Sequence, residues 1–220
     1  MNVYVWTNSL KNAYIGEYGW KPWANTLLYV PFVDDLLDHS WNSVSLNTGW
    51  TITNTTLSWV KCASLTNWWL NTPTLDTTWN WTQTIWVKWL PTWSWDNAII
   101  DKGNSSRAVW TWLKNWSYIS SITGVWYSSS ASVDTSNVWH LLTVVRDSWT
   151  LYIYYDWVQK LTYSISSYES WISNNFWIYK REWSSTFGNW YISGWIVENK
   201  ARTAQEVQDY YNQTKWNYWL

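Results

Sequence analysis

The glutamates of this sequence are the side chains best suited to acid–base chemistry, and their spacing does not pair them. Glycoside hydrolysis needs two carboxyl groups on either side of the scissile bond. The glutamates are instead scattered singly along the chain, at Glu17, Glu169, Glu182, Glu198 and Glu206. Glu198 lies near the end of the last predicted strand, where a solvated strand-end charge is a better interpretation than a catalytic acid. We therefore predict no catalytic residue and no enzyme activity.

The cysteine and histidines are too few for most metal or nucleophile chemistry. Cys62 is the only cysteine, and His39 and His140 are the only histidines. This excludes an intrachain disulfide and a zinc site of the usual Cys/His type. His140 follows Trp139 on a predicted core strand, and no nucleophile pairs with it in sequence. We interpret His140 as a packed or edge-facing histidine rather than a general base.

One acidic stretch could hold a metal ion. Asp34, Asp35 and Asp38 follow an early strand-like run, and hard oxygen ligands suit Ca²⁺. Their spacing is not that of a dedicated calcium loop, so solvated loop acids are the preferred interpretation and calcium is the alternative. No other cofactor is expected, and no motif identifies the ligand-binding residues.

Composition limits the class of partner. The chain has 220 residues, 13% of them charged, with a net charge of −1. That balance argues against a nucleic-acid or anionic-membrane partner. No apolar run approaches the ~18 residues of a membrane span, which argues against membrane insertion. Residues 1–10 lack the apolar core of a classical signal peptide.

Tryptophan is unusually frequent and often stands where a turn uses glycine. There are 28 Trp and 7 Gly, and dipeptides such as Asn80-Trp81 and Asp156-Trp157 have the context of Asn-Gly and Asp-Gly turns. Trp6 in Tyr4-Val5-Trp6 also matches Gly16 in Tyr14-Ile15-Gly16. We hypothesise that many of these Trp are encoded by UGA codons that the source organism reads as Gly, as some bacterial lineages do. The alternative is a protein that is Trp-rich by nature, such as a sugar binder.

Ser, Thr and Asn alternate with β-branched and aromatic residues in short runs, which is typical of an all-β protein. The clearest predicted strands are Leu27–Phe32, Thr82–Lys88, Ala98–Asp101, Tyr118–Val125, Trp139–Arg146, Leu151–Asp156, Val158–Tyr163, Phe176–Lys180 and Tyr191–Glu198. Their spacing predicts a β-sandwich or barrel, with a hairpin turn at Asp156-Trp157.

One helix is predicted near residues 204–213. Thr203 and Glu206 have the spacing of a capping box, and Val207, Tyr210 and Tyr211 form an apolar stripe that should pack on the sandwich. Residues 1–24 contain the two short repeats and are predicted to form an N-terminal β-hairpin arm or linker. Residues 25–220 are predicted to form the main domain.

Several motifs follow one another in order along residues 25–215, namely Ser40-Trp41-Asn42, the strand-like Ile99–Asn104 with its Lys-Gly dipeptide, and Val138–Asp147 with its Trp-His dipeptide. In this order they resemble the laminin-G-like modules of the concanavalin A-like lectin/glucanase superfamily. That family has Ser-Gly-Asn, a strand with a Lys-Gly turn, and a Trp-His strand that precedes an Asp-Gly hairpin. The resemblance implies a concanavalin A-like antiparallel β-sandwich, or jelly roll, with a short C-terminal helix. The Glu-x-Asp-x-x-Glu run of the superfamily's glucanases is absent.

The resemblance also sorts the tryptophans. Trp86 and Trp139 align with aromatic positions of the family and are predicted to be genuine, as is Trp20 before Lys-Pro. The positions predicted to be glycines fall on family glycines or in turn-like contexts, at Trp6, Trp41, Trp59, Trp68, Trp79, Trp93, Trp95, Trp116, Trp149, Trp157, Trp183, Trp190, Trp216 and Trp219.

Two non-enzymatic functions are compatible with this sequence. The first is a recognition module that binds a glycan or cell-surface polymer in an extracellular, cell-surface or virion setting, since sandwich loops commonly carry binding residues. The alternative is a structural component of a phage tail or surface filament, which the N-terminal repeats would suit. No motif assigns an oligomeric state.

Overall fold

The computed structural model describes residues 24–32, 35–48, 53–57, 59–65, 69–77, 79–89, 97–104, 107–114, 117–122, 127–133, 137–165, 175–179 and 190–218. The predicted arm, residues 1–24, lies outside this range apart from Ala24. The repeats around Trp6 and Gly16, and Trp20, also lie outside the described residues.

The described residues form strands for most of their length. The strands are β1 (Thr26–Val30), β2 (Asn47–Thr48), β3 (Thr53–Leu57), β4 (Val60–Leu65), β5 (Trp69–Asn71), β6 (Trp81–Trp89), β7 (Asn97–Asn104), β8 (Arg107–Lys114), β9 (Ser117–Ile122), β10 (Tyr127–Ser132), β11 (Trp139–Asp147), β12 (Thr150–Tyr155), β13 (Val158–Ser164), β14 (Phe176–Tyr179) and β15 (Trp190–Glu198).

The strands pair into two antiparallel sheets. Within the described ranges, one sheet has eight strands in the order β13-β12-β11-β6-β15-β4-β3, with β1 pairing beside β15. The other has seven, in the order β10-β9-β8-β7-β14-β5-β2. Apolar residues from both sheets meet in one core, including Leu142 and Ile85 from the first and Ile100 and Phe176 from the second. The predicted antiparallel sandwich is confirmed.

Helix α1 (Ala204–Thr214) covers the outer face of the eight-stranded sheet. Its capping box is present: Thr203 accepts from the Glu206 amide, and the Glu206 carboxylate accepts from the Thr203 amide. Val207 and Tyr210 are buried, and the ring of Tyr211 stacks on Trp86. The predicted short C-terminal helix and its packing on the sandwich are therefore confirmed. A 3-10 turn, Lys215–Tyr218, continues the helix and buries Tyr218.

Burial on both faces explains the sequence of β11. Its even-numbered residues, such as Leu142 and Val144, face the core between the sheets, and its odd-numbered residues, such as Leu141 and Val145, face the helix side. The strand therefore reads as a continuous apolar run rather than an alternating one. In the part of the chain that the structure describes, no helix has the length and apolar character needed to cross a membrane.

Three positions that the sequence interpretation places in turn-like contexts lie in strands instead. Asn80-Trp81 is not a turn, because Trp81 begins β6 and is buried in the core. Lys102-Gly103 is not a turn either, because β7 continues to Asn104, which pairs with Arg107 of β8. In both cases, cross-strand pairing extends the strand through a dipeptide whose local context favours a turn. Trp190 likewise lies in a strand, as the first residue of β15.

Candidate functional site

Asp38 organises the turn that follows β1. Its Oδ1 accepts from the amides of Tyr29 and Ser40 at 2.9 and 2.8 Å. Its Oδ2 accepts from the Ser40 hydroxyl and the Val44 amide, both at 2.7 Å. Both carboxylate oxygens therefore bind the protein itself, which gives Asp38 a structural role that differs from a simple solvated loop acid.

The motif that follows Asp38 fastens the same turn to β1. The hydroxyl oxygen of Ser40 also lies 3.2 Å from the Leu27 carbonyl oxygen, and the Asn42 amide group donates to the carbonyls of Thr26 and Leu27. Trp41 lies between these two anchors with about half of its surface exposed. The Ser-x-Asn pattern is therefore explained by the hydrogen bonds that Ser40 and Asn42 make in this turn. Trp41 takes no part in these hydrogen bonds.

Asp35 has a different set of partners. Its Oδ1 accepts from the Leu37 amide at 3.0 Å and lies 2.9 Å from Nε2 of His39. Asp34, the third calcium candidate, lies outside the described residues. In the described ranges, no group of three or more His, Cys, Asp or Glu side chains is placed to hold a metal ion.

His140 is packed, as the sequence interpretation predicted. Its Nδ1 lies 2.7 Å from Oδ2 of Asp156, and its ring stacks on Tyr155. The other oxygen of Asp156 accepts from the Leu141 amide at 2.8 Å. The pair therefore connects β11 to the hairpin turn between β12 and β13, which gives His140 and Asp156 a structural explanation.

Glu198 is buried and is not the solvated strand-end charge that the sequence suggested. Its carboxylate binds Nε of Arg202, and both side chains are completely inaccessible to solvent. Burial raises the pKa of Glu198, and the Arg202 guanidinium opposes that shift. The segment after β15 folds back over the outer face of the sheet, which sequence spacing alone does not reveal. The pair anchors the chain at the entry to helix α1.

Among the other glutamates in the described residues, Glu206 lies near enough to Glu198 to contribute to raising its pKa, but the Glu206 carboxylate is itself engaged. Glu206 caps helix α1 and binds Lys200. Glu17, Glu169 and Glu182 lie outside the described residues.

Exposed tryptophans mark the surface of the described residues. Six expose about two-fifths of their area or more, at Trp41, Trp59, Trp79, Trp149, Trp157 and Trp216. All six belong to the set that the sequence assigns to glycine positions. Trp86 and Trp139, which the sequence assigns as genuine, are buried.

Two of the exposed tryptophans also have left-handed backbone. The φ angles are +74° at Trp59 and +69° at Trp157. In the second hairpin Tyr155 pairs with Val158, and Asp156 also has a positive φ of +50°. Positive φ at both central residues defines the type I′ turn that favours Asn-Gly or Asp-Gly. The predicted hairpin and its Asp-Gly-like turn geometry are confirmed.

The fold is similar to the binding domains of botulinum neurotoxins. The serotype D/C VPI 5993 binding domain has a TM-score of 0.70 at 11% identity, covering 86% of this chain and 52% of that chain. The botulinum neurotoxin DC binding domain in complex with rat synaptotagmin II has a TM-score of 0.71 at 11% identity, with the same coverage. A structure of botulinum neurotoxin type C, whose cell entry depends on interaction with two ganglioside molecules, has a TM-score of 0.68 at 12% identity, covering 86% and 51%.

This chain spans about half the length of the neurotoxin structures. At such low identity, the likeness establishes the fold alone. No protein-family model and no curated protein sequence matches the chain.

Proposed function

We propose that this protein is a non-catalytic recognition module that binds a glycan or another polymer of a cell surface, in an extracellular, cell-surface or virion setting. The observation that carries the proposal is the fold likeness. The similar structures are binding domains, one in complex with a synaptotagmin and one from a toxin whose cell entry depends on gangliosides. Fold likeness does not fix the ligand, so its identity must come from binding measurements.

The chemistry of the described side chains supports binding over turnover. The two groups most able to act as acid or base are engaged internally, Glu198 with Arg202 and His140 with Asp156. Glu206, the carboxylate that interacts with Glu198, is itself held by the cap of helix α1 and by Lys200.

A glycan array, followed by binding to isolated cell-surface polysaccharide, tests the proposal. We expect saturable binding to a restricted set of glycans and no release of reducing sugar from them. The Trp59→Gly and Trp157→Gly variants are controls, because they remove exposed apolar surface that could adhere non-specifically. Release of sugar would contradict the non-catalytic assignment. Failure to bind any glycan or cell-surface polymer, together with assembly into filaments, would favour the structural alternative.

We also propose that the chain is a laminin-G-like member of the concanavalin A-like superfamily in which exposed turn tryptophans are glycines encoded by UGA. The left-handed backbone at Trp59 and Trp157 supports this, because glycine adopts positive φ without steric cost. The nucleotide sequence tests it: we expect UGA at Trp41, Trp59 and Trp157, and UGG at Trp86 and Trp139. UGG at every position would refute it.

We propose residues 1–24 as an arm that precedes a main domain of residues 25–220. Limited proteolysis should cut within the arm and leave a protease-resistant fragment that starts near residue 25. Equal resistance of both segments would contradict this division.

We propose that the turn after β1 folds without calcium, because both oxygens of Asp38 already accept hydrogen bonds. Thermal melting should be the same with calcium and with a chelator. A calcium-dependent rise in Tm that disappears in the Asp34→Asn and Asp35→Asn variants would instead establish calcium as a cofactor.

A further inference from the structure

Strand β1 lies at an edge of the eight-stranded sheet. It pairs with the second half of β15, where Thr26 is opposite Glu198 and Val30 is opposite Trp195. β4 pairs with residues 190–192 in the first half of the same strand, and β3 lies beside β4. Among the described residues, no strand lies beside β1 on its other side. A sheet edge of this kind presents backbone N–H and C=O groups with which a further strand can pair.

The chain after β1 turns back along this edge, and we call residues 38–44 the edge strap. The Tyr29 amide donates to Oδ1 of Asp38 at 2.9 Å, and the Tyr29 carbonyl accepts from the His39 amide at 2.7 Å. A hydrogen-bonded residue of an antiparallel ladder binds the neighbouring strand through both its N–H and its C=O. The edge strap therefore reproduces a ladder pair at Tyr29, with a carboxylate oxygen in place of one backbone carbonyl.

The Asn42 side chain covers the beginning of β1. It donates to the carbonyls of Thr26 and Leu27 at 3.1 and 3.0 Å, and the pairing of β1 with β15 is irregular immediately after Thr26. At the end of the edge strap, the side chain of Val44 packs against the core between the sheets, and its amide donates to Asp38. The edge strap is therefore fixed both to β1 and to the core.

The sequence of β1 favours pairing with another strand wherever its edge is uncovered. Its five residues, Thr-Leu-Leu-Tyr-Val, include no charged residue and no proline. Edge strands of natural proteins often carry a lysine, which disfavours pairing with a second chain. β13, the strand at the opposite edge of the same sheet, has Lys160 near its centre. β1 has no such charge, and its edge is covered by the strap instead.

We propose that the edge strap prevents this protein from pairing with a second copy of itself through β1. An antiparallel pair of identical strands has two-fold symmetry, so the same edge of each copy meets the other. Two β1 strands centred on Tyr29 would exchange the N–H and C=O groups that Asp38 and His39 bind in the single molecule. The edge strap and the second copy therefore compete for the same backbone groups. Because such a pair uses the β1 edge of both molecules, association stops at a dimer.

Two variants that weaken the edge strap test this competition. Asp38→Ala removes the acceptor of the Tyr29 amide and three further hydrogen bonds that shape the strap. Asn42→Ala removes the contacts to the beginning of β1, at an exposed position outside the core. In sedimentation velocity, the average mass of Asp38→Ala should double between about 1 and 100 μM. Asn42→Ala should show a smaller rise, and the mass of the parent should stay constant.

Val207→Ala is the matched control for a general loss of stability. Val207 is buried where helix α1 packs on Val145 and Tyr154, away from the β1 edge. This variant should lower the Tm without changing the mass. Hydrogen exchange read by mass spectrometry then locates the contact. In Asp38→Ala, the β1 peptide should exchange faster than in the parent at about 1 μM and regain protection at about 100 μM, while the β3 peptide stays unchanged.

Each alternative result would overturn the proposal. Equal association of Val207→Ala would mean that lost stability, rather than an uncovered edge, causes pairing. Faster exchange of β1 in Asp38→Ala at constant mass would show that the uncovered edge does not pair. Species that grow beyond a dimer and protect β3 would place the pairing edge elsewhere. If Asp38→Ala does not fold, Asn42→Ala decides, and a mass equal to that of the parent at every concentration would refute the competition.

Discussion

Tryptophan has opposite consequences in two regions of this molecule, the layer beneath helix α1 and the hairpin turns. In the layer, Trp86 is completely buried and stacks on Tyr218 at 4.2 Å. In the turn between β12 and β13, Trp157 has left-handed backbone and exposes 42% of its surface. The first arrangement removes a large apolar surface from water, and the second combines backbone strain with an exposed ring.

Whether the strain of a positive φ angle is compensated depends on burial of the side chain rather than on its size. Phe32 also has a positive φ, +58°, but its ring is completely buried in the core. Trp59 has a φ of +74° and exposes 85% of its surface. Core packing can offset the strain at Phe32, whereas Trp59 has little burial to offset its own. The two regions should therefore respond in opposite directions to replacement by glycine.

The largest expected effect is at Trp86. Trp86→Gly removes a buried indole, which costs ~3–5 kcal/mol, and places glycine inside a strand, which costs a further ~0.5–1 kcal/mol. The variant should be severely destabilised or unfolded in urea titration. Full retention of stability would mean that the layer beneath helix α1 does not hold the sandwich together.

The Glu198–Arg202 pair should show the next largest effect, because it anchors the entry to the same helix. Glu198→Ala leaves the Arg202 guanidinium buried without its partner, which should cost about 3–5 kcal/mol. The double variant Glu198→Leu/Arg202→Met should recover much of that loss, since removing both charges avoids an unpaired buried ion. Chemical denaturation of the single and double variants measures the coupling. A loss below ~0.5 kcal/mol in Glu198→Ala would indicate that the pair is solvated in the protein.

Strands with long apolar runs could be predicted from sequence, whereas polar strands and the mixed runs of β4 and β8 were not identified. The predicted Trp139–Arg146 and Leu151–Asp156 runs match β11 and β12 to within a residue. β3, Thr53–Leu57, and β10, Tyr127–Ser132, were not identified, because Thr, Asn and Ser runs also suit loops. Antiparallel pairing with β4 and β9 supplies the hydrogen bonds that place them in sheets.

Individual residues show the same division: contacts between residues close in sequence could be predicted, and contacts between residues far apart could not. The capping box and the Asp156-Trp157 turn depend on residues close in sequence, so their patterns were sufficient. The buried cations Lys102 and Arg146 are far apart in sequence, and they lie near each other only because β7 and β11 belong to sheets that pack together. The sequence placed Lys102 in a turn, and a lysine predicted in a turn gives no signal for a buried cation.

Glycine at the two left-handed turn tryptophans should stabilise the protein. Trp59→Gly and Trp157→Gly each relieve ~1–2 kcal/mol of strain, partly offset by the flexibility that glycine adds to the unfolded chain, for a net gain of about 1 kcal/mol. Thermal melting should show a rise in Tm of several degrees per substitution, with less aggregation from exposed apolar surface. Unchanged Tm and solubility would remove the physical support for the glycine assignment.

The hairpin between β11 and β12 should give the smallest effect and the sharpest test. There Asp147 pairs with Thr150, and the positive φ, +53°, falls on Ser148 rather than on Trp149. Ser148→Gly should therefore stabilise by up to ~1 kcal/mol, because the contacts to Asn80 and Arg146 use only the backbone of Ser148, and the substitution loses one long, exposed hydrogen bond from its hydroxyl to Asp147. Trp149→Gly relieves no left-handed strain and loses the ring contact with Trp79, so its effect should lie within ~0.5 kcal/mol of zero, on the destabilising side. Urea titration of both variants distinguishes relief of backbone strain from removal of an exposed ring. If Trp149→Gly stabilises the protein as much as Trp157→Gly does, removal of the exposed ring is the cause. Backbone conformation would then not explain the difference between the two regions.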